Sequence, residues 1–315
     1  MARFLVTGGA GFIGSHLVER LVSMGEKVRV LDDLSTGHLK NIEPFSEKVE
    51  FVQGSLTDYL AVEKVVEGIE VVYHQGALAS VPRSVANPLA TNEADVTGTL
   101  NVLHAAHQAG VDRVIYAASS SAYGDQPFAS KREADVPKPI SPYAVAKLAG
   151  EHYCQAFYHS YGLKTICFRY FNVFGPRQDP HSAYSAVIPL FISRMLTDEQ
   201  PIVFGNGLQS RDFTFIENVV HGNMLAATTT DEAAFGRTFN LANGMSTSLL
   251  TLIDILNEKL GTTLKPEFQP PRVGDVLSSM ADITEVCEVL GYETKVHFEE
   301  GIERSIEYYQ SVLTA

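Results

Sequence analysis

The stretch Val6-Thr7-Gly8-Gly9-Ala10-Gly11-Phe12-Ile13-Gly14 follows a short apolar run, Phe4 to Val6, and opens a helix whose Leu17, Leu21 and Val22 fall on one face. Its glycines are spaced Gly-x-x-Gly-x-x-Gly. Gly8 permits a tight turn, Gly11 lets the backbone approach a bound group with no Cβ in the way, and Gly14 lets the helix pack closely on a sheet. The N–H groups at a helix start have no intrahelical partner and form a ready anion site. A second apolar run, Val28 to Leu31, ends in Asp32-Asp33, with Asp32 placed 18 residues after Gly14. A carboxylate there accepts hydrogen bonds from both ribose hydroxyls and repels a 2′-phosphate, which points to NAD rather than NADP. A glycine-rich structural turn is the competing explanation. The strand before, the helix after and the acid beyond favour the dinucleotide site.

With 315 residues and 45% hydrophobic content, the chain can bury a core for one large domain or two intimate ones. No apolar run approaches the length of a membrane span, and the N-terminal strand is too short and too soon followed by glycines to be a secretory signal, so a cytoplasmic protein is expected. Cys154, Cys167 and Cys287 lie far apart without metal-ligand spacing, and the histidines form no HxxxH cluster. Buried free thiols and no metal are expected. The net charge of −13 argues against nucleic acid or an anionic membrane as partner. An anionic small molecule remains compatible, given a few well-placed arginines.

Downstream, short apolar runs alternate with helical stretches. Val49 to Gln53, Val71 to His74, Val111 to Ala117 and Thr165 to Tyr170 read as strands. Leu60 to Val66, about Thr91 to Ala109 and Pro142 to Tyr161 read as helices. This rhythm predicts an α/β fold with a doubly wound parallel (Rossmann) sheet, in which ligands bind beyond the carboxyl ends of the strands. After Asn172 the rhythm breaks, with helices expected near Val187 to Leu196, Asn218 to Thr229, Leu249 to Leu260 and Gly301 to Tyr309. The expected organisation is an NAD-binding domain over 1–172 and a smaller α/β substrate lobe over 173–315. Part of 211–240 is expected to pack back on the first domain.

The strand ending near Ala117 runs into Ser119-Ser120-Ser121, and Tyr143 follows in Ser141-Pro142-Tyr143-Ala144-Val145-Ala146-Lys147. Pro142 suits the first turn of a helix. Tyr143 and Lys147 then share one face, where an ammonium biases a phenol toward phenolate. An unperturbed tyrosine titrates near ~10, so a neighbouring Lys and an oxidised nicotinamide are what would make it a base near neutrality. Taken alone, Tyr-x-x-x-Lys is a common helix-surface pair and a serine run a common polar loop. Behind a dinucleotide turn, with the serines at a strand end, they form a catalytic constellation.

At this point the chain resembles the extended short-chain dehydrogenase/reductases, and within them the nucleotide-sugar 4-epimerases, most closely those acting on UDP-N-acetylglucosamine. The resemblance runs nearly the whole length: the glycine turn, His74-Gln75-Gly76-Ala77, Ser119 to Asp125, Tyr143 with Lys147, Arg169 to Gly175, Ser210-Arg211-Asp212-Phe213 and Arg272-Val273-Gly274-Asp275. It implies that Tyr143 is the general base and later the acid, that Ser119 hydrogen-bonds the sugar oxygen at the reacting carbon, and that Lys147 holds the nicotinamide ribose. For NAD it implies Gly8, Gly11, Phe12, Ile13, Gly14, Asp32, Gly37, Asp58, Gly76, Ala77 and Tyr170 besides Tyr143 and Lys147. For the UDP-sugar it implies Ser80, Arg83, Ser120, Ser121, Asn172, Ala186, Val187, Arg211, Arg272, Asp275 and Ser279, with Arg211 and Arg272 opposite the diphosphate. It also implies a homodimer, through a four-helix bundle of the helices near Thr91 to Ala109 and Pro142 to Tyr161.

By the same resemblance the C4 hydride passes to NAD, a 4-keto sugar turns over, and the hydride returns to its other face. The 4,6-dehydratases carry Asp-Glu where this chain has Ser120 and Ser121, so dehydration lacks its acid and base. Decarboxylases of UDP-glucuronate tend to carry a Glu in that neighbourhood, and none stands between Ser119 and Tyr123. The small Ser279, four residues beyond Asp275, and the run Ser80-Val81-Pro82-Arg83-Ser84 favour UDP-N-acetylglucosamine and its galacto epimer, with UDP-glucose as a further substrate. A UDP-glucuronate 4-epimerase or decarboxylase is the rival enzyme. A NAD-sensing regulatory protein is the non-enzyme alternative, against which Ser119, Tyr143 and Lys147 together speak. Ser55 stands where the family usually has an Asp, Asp95 where Asn is usual, and a Lys common near Ala79 is missing.

Overall fold

The computed structural model describes residues 2–126, 130–180, 186–271 and 277–313. Six strands come in chain order: β1 Phe4–Thr7, β2 Val28–Asp32, β3 Val49–Gln53, β4 Val71–His74, β5 Arg113–Ser119 and β6 Lys164–Tyr170. A seventh, Arg237–Leu241, joins β6, and the sheet runs β3-β2-β1-β4-β5-β6 followed by this strand, every pair parallel. The order reverses between β1 and β4. That switch point opens a crevice beyond their carboxyl ends, where the glycine turn lies.

Both faces of the sheet are covered, which is why the strands read as near-continuous apolar runs. Along β5, Ile115 and Ala117 face a core shared with the helices Phe12–Ser23 and Ile216–Thr228. Val114, Tyr116 and Ala118 face the other core, closed by the helices Tyr59–Val66, Gly98–Gln108 and Pro142–Tyr161. Three further helices, Val187–Leu196, Leu249–Leu260 and Phe298–Leu313, gather with short strand pairs beside the first face, and their apolar residues continue that same core. No helix among the described residues is long and apolar enough to cross a membrane.

Three elements differ from the sequence-based expectation. The helix expected from Thr91 begins at Pro88, where Asn87 caps it by accepting from Ala90 N–H at 3.1 Å, and is interrupted by a π-turn over Glu93–Thr97. The last helix starts at Phe298, whose ring stacks on Phe213 with centroids 5.6 Å apart. The strand Arg237–Leu241 is a short mixed run, and only its pairing with β6 declares it. It brings the chain back to the large sheet from within the stretch expected to pack there.

Candidate active site

The glycine turn is built by close approaches. Gly8 has φ +66° and donates to Leu31 O at 2.8 Å, and a Cβ on it would lie 2.7 Å from Gly76 Cα. A Cβ on Gly14 would lie 2.1 Å from Gly8 O, so the helix is pressed on the turn itself rather than on the sheet at large. Phe12 and Ile13 begin that helix, which has no side-chain cap and no acid in its first turn. Its N–H dipoles are left for an anion.

Asp32 sits at the end of β2, 7% exposed, with Oδ2 accepting from Ala10 N–H at 2.9 Å and Oδ1 from Leu34 N–H at 2.8 Å. Burial lifts its carboxyl above the ordinary value, and these two bonds pull it back. A Cβ on Gly37 would lie 2.9 Å from both Asp32 oxygens, so Gly37 keeps a cradle open in front of the carboxylate. Uncapped helix start, open cradle and doubly anchored acid together fit a dinucleotide's pyrophosphate and adenine ribose. The exposed Asp58 has a local role as well, capping the helix Tyr59–Val66 through Leu60 and Ala61 N–H.

A polar chain ties the ends of β1 and β4 together. Thr99 donates its hydroxyl proton to Asp95 O at 2.6 Å, so it accepts from His74 Nε2–H at 3.0 Å; Nδ1 of His74 then accepts from Thr7 at 2.7 Å. Thr7 Oγ1 in turn accepts Gly76 N–H at 3.2 Å. Burial drives the His74 imidazole down to about 3, so it stays neutral and structural. Ala77 follows, half-buried. The Tyr170 hydroxyl is held by Gln75 and Asn223 at 2.9–3.2 Å, and the ring belongs to the core beside the crevice.

Ser119 ends β5 and caps the short turn Ser120–Tyr123, accepting from Ser121 N–H at 3.2 Å and from the Ser121 hydroxyl at 2.9 Å. Its hydroxyl also lies near enough to the Tyr143 phenol to draw that phenol's titration down. Ser121, expected to line the sugar pocket, therefore orients Ser119. The helix Pro142–Tyr161 starts at the Ser141 cap, which accepts Ala144 N–H at 3.2 Å. Tyr143, Lys147 and Gly150 form one stripe on it at i, i+4 and i+7. Lys147 is 3% exposed, donates to Ala117 O at 2.9 Å, and stands 5.0 Å over the Tyr116 ring.

Gly150 makes that approach possible, because a Cβ there would lie 2.2 Å from Tyr116 Oη. Sequence reading passed over it, although a glycine inside a helix is unfavourable and signals a packing need. Burial, and after it the charge of Asp95, push the Tyr143 phenol well above its ordinary value, while the nearby Ser119 hydroxyl pulls it down. Lys147 alone thus does not make Tyr143 a base.

On the other side of the crevice a cavity of about 250 Å³ is lined by Asn172, Ala186, Val187, Phe204, Arg211 and Phe213, among others. Asn172 donates to Asp212 O at 3.2 Å. Ser279 N–H donates to Ser210 O at 3.1 Å, which sets Ser279 beside Arg211. Ser80 caps the helix Val81–Ala86 through Arg83 N–H at 3.2 Å, and the Arg83 charge reaches Asp95. Arg272 and Asp275 lie outside the described residues.

The family description "NAD dependent epimerase/dehydratase family" matches residues 4–242. The chain belongs to that family. Within the NAD-dependent epimerases and dehydratases it is an extended short-chain dehydrogenase/reductase of the nucleotide-sugar 4-epimerase branch, an isomerase that works with NAD. It is 36% identical to a putative UDP-glucose 4-epimerase of Methanocaldococcus jannaschii over 98% of each chain. It also matches the crystal structure of a Thermotoga maritima UDP-glucose 4-epimerase with UDP-glucose, at 38% identity and TM-score 0.93 over 98% of this chain and 99% of that one. A UDP-N-acetylglucosamine 4-epimerase from Methanobrevibacter ruminantium, in complex with UDP-N-acetylmuramic acid, matches at 36% identity and TM-score 0.93 over 99% of each chain.

Proposed function

We propose that the protein is an NAD-dependent UDP-sugar 4-epimerase whose preferred pair is UDP-N-acetylglucosamine and UDP-N-acetylgalactosamine. The observation that carries 4-epimerisation is the meeting of Ser119, Tyr143 and Lys147 at the carboxyl end of β5, across the switch point from the glycine turn. NAD, when bound, supplies the acceptor that takes and returns the hydrogen of C4. The chain moves the proton: Tyr143 Oη accepts it from the C4 hydroxyl and returns it to the C4 oxygen after the sugar has turned. Ser119 Oγ, oriented by Ser121, hydrogen-bonds that oxygen. The cavity holding Asn172, Ala186, Val187 and Arg211 grips the uridine diphosphate end, with Arg272 and Asp275 as further contacts, while the sugar stays free to rotate.

The N-acetyl preference rests on Ser279, small and next to Arg211, where a bulky side chain would crowd a C2 substituent. Dehydration is disfavoured because the loop after Ser119 offers hydroxyls instead of carboxylates, and Ser121 is committed to Ser119. A UDP-glucuronate 4-epimerase is the second reading, favoured by Arg83, a cation near the site that would match a C6 carboxylate. The protein is proposed to act in the cytoplasm, where its three free thiols suit a reducing compartment. It is also proposed to pair as a homodimer, since Leu89, Val145 and Tyr161 are exposed on or beside the helices expected to form the bundle. Only monomer in sedimentation at micromolar concentration would refute the dimer.

The test is incubation of the purified protein, with NAD in excess, with UDP-N-acetylglucosamine, UDP-glucose and UDP-glucuronate in separate reactions, followed by resolution of the epimers. Faster conversion of the N-acetyl sugar is expected. Conversion of UDP-glucuronate alone would replace the proposed substrate, and full activity in Tyr143→Phe would remove the acid–base assignment.

A further inference from the structure

Thr91, Asp95 and Thr99, each 1% exposed, make a buried polar row facing the helix that carries Tyr143 and Lys147. Asp95 stands inside the π-turn Glu93–Thr97, an irregularity often found at functional sites. Its carboxylate is half satisfied. Oδ1 accepts from Leu78 N–H at 2.7 Å, while Oδ2 is buried with no hydrogen-bond partner among the described residues. An oxygen left that way is unfavourable unless nearby charge offsets it.

Burial pushes the Asp95 carboxyl above its ordinary value, and two cations on two elements pull it back: Lys147 of the helix Pro142–Tyr161 and Arg83 of the helix Val81–Ala86. On the same helix as Lys147, Tyr143 is held protonated by burial and after it by the Asp95 charge, and Tyr116 of β5 by burial, with Cys154 and then Asp95 adding to it. His74 of β4 meets the row only through Thr99 and stays neutral, and Glu151 adds its charge to that of Asp95 on Lys147. An amide at this position would accept from Leu78 just as well, so the Leu78 bond explains the shape of the residue and leaves its charge unexplained.

We infer that Asp95 is a positioning residue for the acid–base pair: its unpartnered carboxylate oxygen balances the Lys147 ammonium and so sets the pH at which Tyr143 releases its proton. This rests on Tyr143 as the proton carrier. With the carboxylate present, the positive field of Lys147 is partly cancelled at the phenol, and Tyr143 becomes a base only at higher pH. Without it the phenol no longer faces a neighbouring negative charge and releases its proton at lower pH. The same carboxylate opposes the burial that draws Lys147 below its ordinary value.

The experiment uses the NAD-loaded protein and Asp95→Asn, which keeps the shape and the Leu78 bond but removes the charge. Two curves are recorded: kcat against pH at saturating UDP-sugar, and tyrosinate absorbance against pH, taken as the difference from Tyr143→Phe. Both are expected to move to lower pH by about one unit in Asp95→Asn, the scale of one nearby charge. If Asp95→Asn does not fold, the neutral Asp95→Ser takes its place. A rate lowered equally at every pH, with both curves unmoved, would mean a structural role only and overturn the inference. Full activity in Tyr143→Phe would instead strike the acid–base reading beneath it, so the two failures are distinguishable.

Discussion

Replacing Gly150 with alanine tests whether the catalytic helix must lie this close to β5. The new Cβ would stand 2.2 Å from Tyr116 Oη and 2.4 Å from Cζ, on a ring that is fully buried and has no room to withdraw. Reaching ordinary contact needs an opening of about 1 Å between helix and strand. Alanine gains about 1 kcal/mol of helix propensity over glycine, whereas forced overpacking of this kind costs about 3 kcal/mol. The net expectation is a loss of about 2 kcal/mol of stability. Lys147 and Tyr143 lie on the same stripe, one and two turns before Gly150, so the opening stretches the 2.9 Å bond from Lys147 to Ala117 O and draws Tyr143 from Ser119. A misplacement near 1 Å can lower kcat roughly 100-fold. The chain contains no tryptophan, so urea unfolding is best followed by far-ultraviolet circular dichroism, with kcat measured at saturating UDP-sugar and excess NAD. A Gly150→Ala protein at least as stable as the parent, with unchanged kcat, would refute the reasoning.

Gly37→Ala should weaken NAD binding about tenfold or more, because its Cβ would stand 2.9 Å from both Asp32 oxygens and force the carboxylate from the place its bonds to Ala10 and Leu34 hold; titration of the cofactor-free protein with NAD checks this, and an unchanged affinity would place the ribose elsewhere. Asp212 is buried and accepts N–H groups of Asn243, Gly244 and Ala281, with burial raising its carboxyl to about 6. Its folded value exceeds the unfolded one, so its contribution is fully present at low pH and is lost as pH rises through about 6. The stability difference between the parent protein and Asp212→Asn should change by roughly 2 kcal/mol between pH 4 and 7, measured by urea unfolding, and a flat difference would refute it.

The glycine turn and Asp32 were legible because close backbone approach and a positioned acid leave marks in one short stretch. Tyr143 and Lys147 were legible because helix periodicity alone puts them on one face. Gly150 left only a weak mark, since its reason is a tyrosine on another element, 34 residues earlier. His74 is kept neutral by burial and its ring is held by hydroxyls from two other elements, Thr7 and Thr99, which no local pattern announces. Asp95 could be seen as a departure from the family, but the empty side of its carboxylate is visible only in three dimensions. The strand Arg237–Leu241 was missed because Arg-Thr-Phe-Asn-Leu has too little apolar alternation to be told from a loop.

That last strand also bears on how the chain comes off the ribosome. Until residue 241 has emerged, β6 is the sheet's outermost strand, with the backbone groups along its free side unpaired. An exposed parallel edge of this kind invites pairing with other chains. A fragment stopped after Asn172 would carry the whole glycine turn and the Tyr143 helix yet keep that edge open, and should be recovered largely as aggregate. Extending it through Leu241 closes the edge, so the shortest useful truncation is set by the sheet rather than by the apparent end of the cofactor domain.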